Sequence, residues 1–131
     1  MILLDTHALF WLAMEPARLS PAARTAIKAA LVAGGIAIAS ITLVELAMIV
    51  ALGRFRPTGT PEAWLTELVH RTGVIVRDVT PAIATLAVQF PGGFPSDPAD
   101  RLIAATALAG RLPLVTRDRS LRRSRVIETV W

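Results

Sequence analysis

Short apolar runs alternate along the chain with longer segments in which apolar residues recur at helical spacing. Short runs rich in Ile, Leu, Val and Ala are typical of strands that are buried on both faces of a parallel sheet. Five of them are predicted as strands, at residues 2–4, 36–39, 74–76, 114–115 and 126–130. Because strands alternate with helices, the pattern predicts an α/β fold in which helices cover both faces of a parallel sheet.

Four of the predicted helices begin at the same two-residue signal, a capping side chain followed by a proline at the first helical position. The signal occurs at Ser20-Pro21, Thr60-Pro61, Thr80-Pro81 and Asp97-Pro98. It predicts helices over residues 21–32, 61–71, 81–89 and 98–109. Apolar periodicity predicts two more, over residues 7–14 and 42–52.

One stretch, residues 29–53, is long enough to cross a membrane and carries a single charge, Glu45. Two features argue against a membrane span. Gly34-Gly35 interrupts the stretch, and a strand-like run follows directly. Glu45 would also lie deep in the lipid, at a cost of about 2.5–3.5 kcal/mol on insertion scales. A helix, a glycine turn, a buried strand and a second helix are therefore the preferred interpretation.

Length and composition narrow the class of protein. The 131 residues are predicted to form one domain, 1–131, and a hydrophobic fraction of 53% argues against disorder. The absence of cysteine excludes disulfides and thiolate metal sites, which favours an intracellular, cytoplasmic protein. The net charge is +4, and all but one of the 14 basic residues are Arg. Arginine binds phosphate in a planar, bidentate manner, so the charge favours either a phosphate-bearing partner or simply a soluble surface.

Several of the ten acidic residues are predicted to lie at one edge of the sheet. Crossover helices run antiparallel to their strands, so helix amino termini gather where the strands end, the usual place for ligands in such sheets. Asp5 follows the first strand, Glu45 is expected in the first turn of the next helix, and Asp118 follows the 114–115 strand. Asp97 and Asp100 open the helix before that strand.

Taken singly, each of these acids has a structural explanation. Thr42 to Glu45 matches a capping box, in which Glu45 would reach back to the Thr42 amide. Asp5 and Asp97 can cap helices, and Asp118 can form a turn. Taken together, carboxylates about 4 Å apart repel by roughly 4 kcal/mol at an effective dielectric of 20. A pocket holding several of them needs protons or a cation.

The chemistry of the donors indicates which cation. Oxygen ligands without Cys or clustered His select a hard ion such as Mg²⁺ or Mn²⁺. Such an ion can acidify a bound water and offset the charge of a phosphodiester. With an arginine-rich chain around it, the set of acids points to metal-dependent phosphoryl chemistry on a nucleic acid.

Four segments resemble the successive motifs of PIN-domain proteins, and of the VapC toxins of bacterial type II toxin–antitoxin systems in particular. They are Ile2-Leu3-Leu4-Asp5-Thr6-His7-Ala8-Leu9, the segments 40–45 and 97–107, and Leu114-Val115-Thr116-Arg117-Asp118. The resemblance covers nearly the whole chain. It implies a five-stranded parallel sheet of order 3-2-1-4-5 and a Mg²⁺- or Mn²⁺-dependent endoribonuclease.

The resemblance also implies roles for single residues and for partners. The family's acidic positions, which bind metal and carry catalysis, map onto Asp5, Glu45, Asp100 and Asp118. Asp100 is chosen over Asp97 because it directly precedes the segment 101–105. Thr6 and Thr116 match hydroxyls that support the acids, and His7 is expected to pack or hydrogen-bond rather than to bind metal. Family members are usually homodimers inhibited by a VapB-type antitoxin.

Surfaces that bind those partners are expected where the chain carries more apolar side chains than the core-facing side of one helix can bury. The candidates are Leu46, Met48, Ile49, Leu52 and Phe55 on one helix, with Trp11, Trp64 and Trp131 elsewhere. A well-filled core explains any one of them equally well.

Five arginines crowd the stretch beside Asp118: Arg117, Arg119, Arg122, Arg123 and Arg125. They are interpreted as a track for RNA phosphates, with Arg101 as a further contact. The alternatives are a solvated basic loop and an Arg101 that only pairs with acids. The stretch has few aromatic residues for base stacking.

Two rival functions remain to be weighed. A phosphoryl-accepting receiver domain has a similar length and sheet, but it needs a lysine near the acids. The only lysine, Lys28, is predicted to lie on a helix away from them. A catalytically silent PIN-like module that binds RNA or protein is the second rival, and the near-complete set of acids argues against it.

Overall fold

The computed structural model describes all 131 residues, and its centre is a five-stranded parallel sheet. The strands are β1 (Ile2–Leu4), β2 (Ile36–Ala39), β3 (Ile75–Arg77), β4 (Leu114–Val115) and β5 (Thr129–Val130). The helices are α1 (Thr6–Met14), α2 (Pro21–Ala33), α3 (Ile41–Ala51), α4 (Pro61–Thr72), α5 (Pro81–Gln89), α6 (Pro98–Gly110) and α7 (Arg119–Ser124). A 3₁₀ turn at Pro16–Arg18 links α1 to α2.

Strand β1 occupies the middle of the sheet, whose order is β3-β2-β1-β4-β5. Leu3 pairs with Ala37 of β2 on one side and with Leu114 of β4 on the other. This confirms both the α/β class predicted from the pattern and the strand order implied by the family resemblance. The residue that follows β1, Asp5, therefore lies at the centre of the carboxyl edge.

Alternate residues of the central strands face two separate layers of core, which is why these runs are apolar throughout. Ile2, Leu4 and Ile38 pack in the layer that contains α1 and α2. Leu3 and Ala37 pack in the layer that contains α6. Helices therefore cover both faces, as predicted.

All four helices with the cap-and-proline signal begin where the sequence predicts. The side chains of Ser20, Thr60, Thr80 and Asp97 each accept a hydrogen bond from a backbone N–H in the first turn of their helix. The signal is local, because a cap and its helix are neighbours in the chain, and so the sequence is sufficient to locate it.

The structure differs from the predicted boundaries at strands β3 and β5 and at helix α7. β5 is confined to Thr129–Val130 instead of residues 126–130, because only these two residues pair with β4. β3 lies one residue further along than predicted. The six-residue helix α7 was not predicted. It forms because the Asp118 carboxylate accepts from the Leu121 amide at 2.8 Å and because Leu121 is fully buried.

The 29–53 stretch folds as predicted. Helix α2 ends at Ala33, the chain turns at Gly35 with a φ of 91°, and β2 begins at Ile36. None of the helices combines the length and the apolar character that a membrane crossing would require.

The apolar side chains considered for partner surfaces divide into two groups. Leu46 and Trp11 are buried in the core. Met48 on α3 and Leu52, the residue that caps its end, are more than half exposed, at 54% and 61%. Val44, which was not among the candidates, precedes them at the same four-residue spacing and is 53% exposed.

Candidate active site

Asp5 is the most enclosed of the candidate acids, with 8% of its surface exposed. Its backbone N–H donates to the Val115 carbonyl at 3.1 Å, which ties it to the neighbouring strand β4. Its carboxylate accepts from the Ala8 amide at 2.7 Å and so caps α1, and the Thr116 hydroxyl also hydrogen-bonds to it. The cap and the strand together hold this carboxylate in one position at the edge of the sheet.

Glu45 does not form the predicted capping box. Helix α3 begins at Ile41 after Ser40, which makes no side-chain cap, so Glu45 lies in the second turn and not the first. Its carboxylate instead accepts a hydrogen bond from the Thr6 hydroxyl, which belongs to α1. Thr6 directly follows Asp5, so this hydrogen bond ties Glu45 to the segment that carries Asp5. It joins positions 39 apart, which no local pattern could reveal.

Asp97 and Asp100 have different positions on α6. Asp97 is the N-cap, and its carboxylate accepts from the Ala99 amide at 3.2 Å. Asp100 lies in the first turn, half-buried, and no protein donor hydrogen-bonds to its side chain. Asp100 is therefore the acid of this pair whose carboxylate is available to a ligand.

Asp118 closes the group from the side of β4. Its amide donates to the Thr116 hydroxyl at 3.0 Å, and its carboxylate caps α7. Thr116 is fully buried, and its hydroxyl accepts from the Asp118 amide and lowers the pKa of Asp5, so it lies close to both residues.

The electrostatics show that the four acids share one field. Burial, followed by the charges of Asp97, Asp118, Glu45 and Asp5, raises the pKa of Asp100 to about 7. Burial also raises the pKa of Asp5, against the opposing effects of the Thr116 hydrogen bond, the Ala8 amide and His7, while Asp118 adds to the increase. Desolvation and like charge both disfavour ionisation, and strongly perturbed carboxyls of this kind cluster at functional sites.

A hollow of about 520 Å³ opens beside two of these acids, and Glu45 and Asp100 are not part of its lining. It is lined by Asp5 and Asp118 together with Arg117, Arg119 and Arg122. The three arginines are exposed, and the only ion pair of the structure, between Arg18 and Glu15, lies elsewhere. The hollow thus places unpaired guanidinium groups next to acidic oxygens.

Comparison with known proteins identifies the family of this chain. The model of the PIN domain family matches residues 2–126. The chain belongs to the PIN domain family. Ribonuclease VapC22 of Mycobacterium tuberculosis (strain ATCC 25618 / H37Rv) is 41% identical to it over 132 residues, which cover 99% of this chain and 98% of that protein.

Solved structures share the fold of this PIN domain. VapBC2 from Rickettsia felis, bound to a DNA fragment from their promoter, matches with a TM-score of 0.73 at 19% identity over 98% of this chain and 97% of that chain. FitAcB from Neisseria gonorrhoeae matches with a TM-score of 0.65 at 28% identity over 98% of this chain and 96% of that chain. The first likeness, at its low identity, concerns the fold alone.

The acids of the PIN domain fit a divalent cation in chemistry and charge, because all the donors are oxygens and Asp100 lies in the field of four neighbouring carboxylates. No group of three or more His, Cys, Asp or Glu side chains has the spacing of an ion-binding site. The fit therefore rests on the donor type and the shared field.

Arg101 lies apart from the hollow. Its guanidinium donates to the Pro95 carbonyl at 2.8 Å and to the Ala87 carbonyl at 3.1 Å. It also lies 5.8 Å from the centre of the Phe94 ring. These contacts fasten the 90–97 segment to α5 and α6, and phosphate binding by Arg101 stays a prediction.

Sequence reasoning missed the aromatic residues of the hollow. It found few aromatics near the arginines, yet His7, Trp11 and Trp131 all line the same space. They come from opposite ends of the chain. They meet at this edge because α1 follows the central strand β1 and residue 131 follows β5. The available signal was the family strand order, which places β5 two strands from β1.

Proposed function

We propose that this PIN domain is a metal-dependent endoribonuclease that acts as a VapC-type toxin of a toxin–antitoxin system. The observation that carries the proposal is the shared field at Asp100, where acids from four separate segments act on one carboxyl and two of those acids, Asp5 and Asp118, line a hollow together with three arginines. The 41% identity to a protein named Ribonuclease VapC22, over nearly the full length of both chains, supports the same activity.

Asp5, Glu45, Asp100 and Asp118 are the residues that would hold Mg²⁺ or Mn²⁺. When bound, such an ion acidifies a water and offsets charge on the scissile phosphodiester. The chain supplies the positioning: Thr6 holds Glu45, and Thr116 holds Asp5 and Asp118. In the hydrolysis, water adds to phosphorus and a ribose oxygen leaves with a proton.

Arg117, Arg119 and Arg122 are the side chains proposed to bind RNA phosphates. They are exposed, they adjoin Asp5 and Asp118, and guanidinium groups bind phosphate oxygens bidentately. A phosphodiester held by them would lie within reach of the acids.

We further propose that a VapB-type antitoxin and a second copy of the chain are partners of this protein. Solved structures of similar fold are complexes described as VapBC and FitAcB. The exposed Val44 and Met48 on α3, with Leu52 at its end, provide apolar surface for such a contact. A toxin of this kind would act on RNA in the cytoplasm.

Metal removal is the experiment that tests the activity. The purified chain is expected to cleave total cellular RNA in the presence of Mg²⁺ or Mn²⁺, to stop in excess EDTA and to resume when metal is restored. Cleavage that continues unchanged in EDTA would rule out the metal mechanism. Binding of RNA without cleavage at any tested concentration of either metal would instead favour a silent PIN-like binding module, for which the lack of a ligating geometry in the structure is an argument.

The arginines of the hollow can be tested through the salt dependence of binding. Each phosphate contact with single-stranded RNA contributes about −0.7 to the slope of log K against log salt concentration. Arg119→Gln and Arg122→Gln are each expected to weaken binding a few-fold and to reduce the slope by about that amount. Arg24→Gln, which removes an exposed arginine of α2 outside the hollow, is the matched control. Equal changes in slope for Arg24→Gln and Arg122→Gln would show that no localised phosphate track exists.

A further inference from the structure

A group of aromatic side chains forms one wall of the arginine-lined hollow. The rings of Trp11 and Trp131 lie 5.6 Å apart at an angle of 54°, and His7 lies 5.6 Å from Trp11. All three residues line the hollow that also contains Asp5. Residues that are up to 124 positions apart are thus combined into one aromatic surface beside the acids.

Trp11 acts as the fixed base of this surface. It is 5% exposed, and the guanidinium groups of Arg18 and Arg117 lie 4.7 Å and 5.9 Å from its ring. Arg18 is itself paired with Glu15 at 3.2 Å. The indole of Trp11 therefore has little freedom, and Trp131, which packs beside it, is positioned in advance of any ligand.

Trp131 lies between two adjoining spaces. One is the hollow of about 520 Å³ beside Asp5, and the other, of about 430 Å³, is lined by Arg119, Arg122 and Arg123. Arg119, Arg122 and Trp131 line both. A half-buried indole is thus flanked by cationic side chains along a path that leads away from the acids.

We propose that this surface binds one unpaired nucleobase of the RNA, stacked on Trp131 and His7, while Arg119 and Arg122 hold the phosphates on either side of it. The proposal rests on the RNA-directed function proposed above and names the side chains that would hold one base of the substrate. An aromatic face beside guanidinium groups is the combination by which proteins bind single-stranded nucleic acid, because every base has a π-face and every linkage a phosphate. In a duplex, both faces of a base are covered by its neighbours, so a stacked position requires an unpaired nucleotide.

The alternative occupant is a protein segment. An acidic peptide would satisfy the arginines and leave the aromatic surface without a matching group, whereas an apolar helix would leave the guanidinium groups dehydrated and unpaired. A nucleotide satisfies both the aromatic surface and the arginines, because it carries a base that can stack and a phosphate that can bind guanidinium groups.

Binding of two probes of equal charge separates the base from the phosphates. Hexaadenylate and a hexameric ribose phosphate without bases are compared with the full chain in EDTA, so that no cleavage interferes. We expect the wild type to bind hexaadenylate about tenfold more tightly, in line with the known contribution of one stacked base. Trp131→Ala is expected to lose this preference, Trp131→Phe to keep most of it, and Arg122→Gln to weaken both probes equally.

A further variant distinguishes stacking from packing. Trp131→Leu keeps an apolar side chain beside Trp11 without a π-face, and it should lose the preference as completely as Trp131→Ala. If Trp131→Ala fails to fold in a thermal-unfolding control, Trp131→Leu and His7→Ala, at an exposed position, carry the test. Preference for hexaadenylate that persists in Trp131→Leu and in His7→Ala would overturn the proposal and leave this surface to a protein partner.

The outcome is independent of turnover. A wild type that prefers hexaadenylate but cleaves no RNA would contradict the nuclease function and retain the stacking surface. A wild type that cleaves RNA but binds both hexamers equally would contradict the stacking surface alone.

Discussion

Replacing Asp100 by asparagine is expected to lower the rate of RNA cleavage at least about a hundredfold at saturating Mg²⁺. The amide has nearly the shape of the carboxylate but carries no charge, so it cannot help to offset a divalent ion. Asp100 lies at the centre of the acidic field, half-buried and without a protein donor. The same loss is expected for Asp5→Asn, and expression of either variant should no longer arrest growth.

Asp97→Asn is the matched control for this experiment. It removes a charge three residues away on the same helix, and asparagine caps a helix as well as aspartate does. Cleavage by Asp97→Asn should remain within about threefold of the wild type. Equal losses in Asp97→Asn and Asp100→Asn would show that only the net charge at the start of α6 matters, and more than a tenth of wild-type activity in Asp100→Asn would remove Asp100 from the metal site.

Asp100→Asn is also expected to stabilise the metal-free protein against unfolding at pH 8. Because the pKa of Asp100 rises from 3.8 in its ordinary state to about 7 in the folded protein, the folded state binds more protons than the unfolded state between these values. Stability in EDTA should therefore fall as the pH rises from about 4 to about 7 and stay low above it. Asp100→Asn removes the charge that causes this loss, so its stability should not follow that part of the pH profile.

The expected gain in the free energy of unfolding follows from the rise in the pKa of Asp100, reduced because the side chain is partly in contact with water. The full rise corresponds to an upper limit of about 4 kcal/mol, and contact of the side chain with water reduces this to about 1–2 kcal/mol. For a chain of this length, that is an increase in Tm of roughly 3–8 °C. Thermal unfolding in EDTA at pH 4.5 and pH 8 measures it, with Glu67→Gln, at an exposed acid of α4, as the control.

Added metal should reverse the difference in Tm between the wild type and Asp100→Asn at pH 8. Mg²⁺ or Mn²⁺ is expected to raise the Tm of the wild type at pH 8 and to have little effect on Asp100→Asn, because a ligand stabilises only the state that binds it. A wild type that is as stable at pH 8 as at pH 4.5 in EDTA, or an Asp100→Asn protein with a lower Tm at pH 8, would contradict the acidic field. Such a gain in stability on loss of a functional charge is common at active sites.

The sequence was sufficient for those features that depend on neighbours in the chain. The cap-and-proline signals located four helices, and the apolar runs located the strands to within a few residues. Alternation of the two placed Asp5, Asp100 and Asp118 at the carboxyl edge of the sheet. The strand order 3-2-1-4-5 required the family resemblance, because periodicity reports which face of an element is apolar and not which element lies beside it.

Only the tertiary structure decided the contacts between distant segments. The hydroxyl of Thr6 and not the amide of Thr42 binds Glu45, because the packing of α1 against α3 brings positions 6 and 45 together. Arg101 serves the 90–97 segment because carbonyls of Ala87 and Pro95 lie within its reach. Trp131 meets Trp11 because β5 joins the sheet next to β4. A sequence determines local conformation through bonded neighbours and short-range capping, whereas the partner of a long polar or aromatic side chain depends on how whole elements pack.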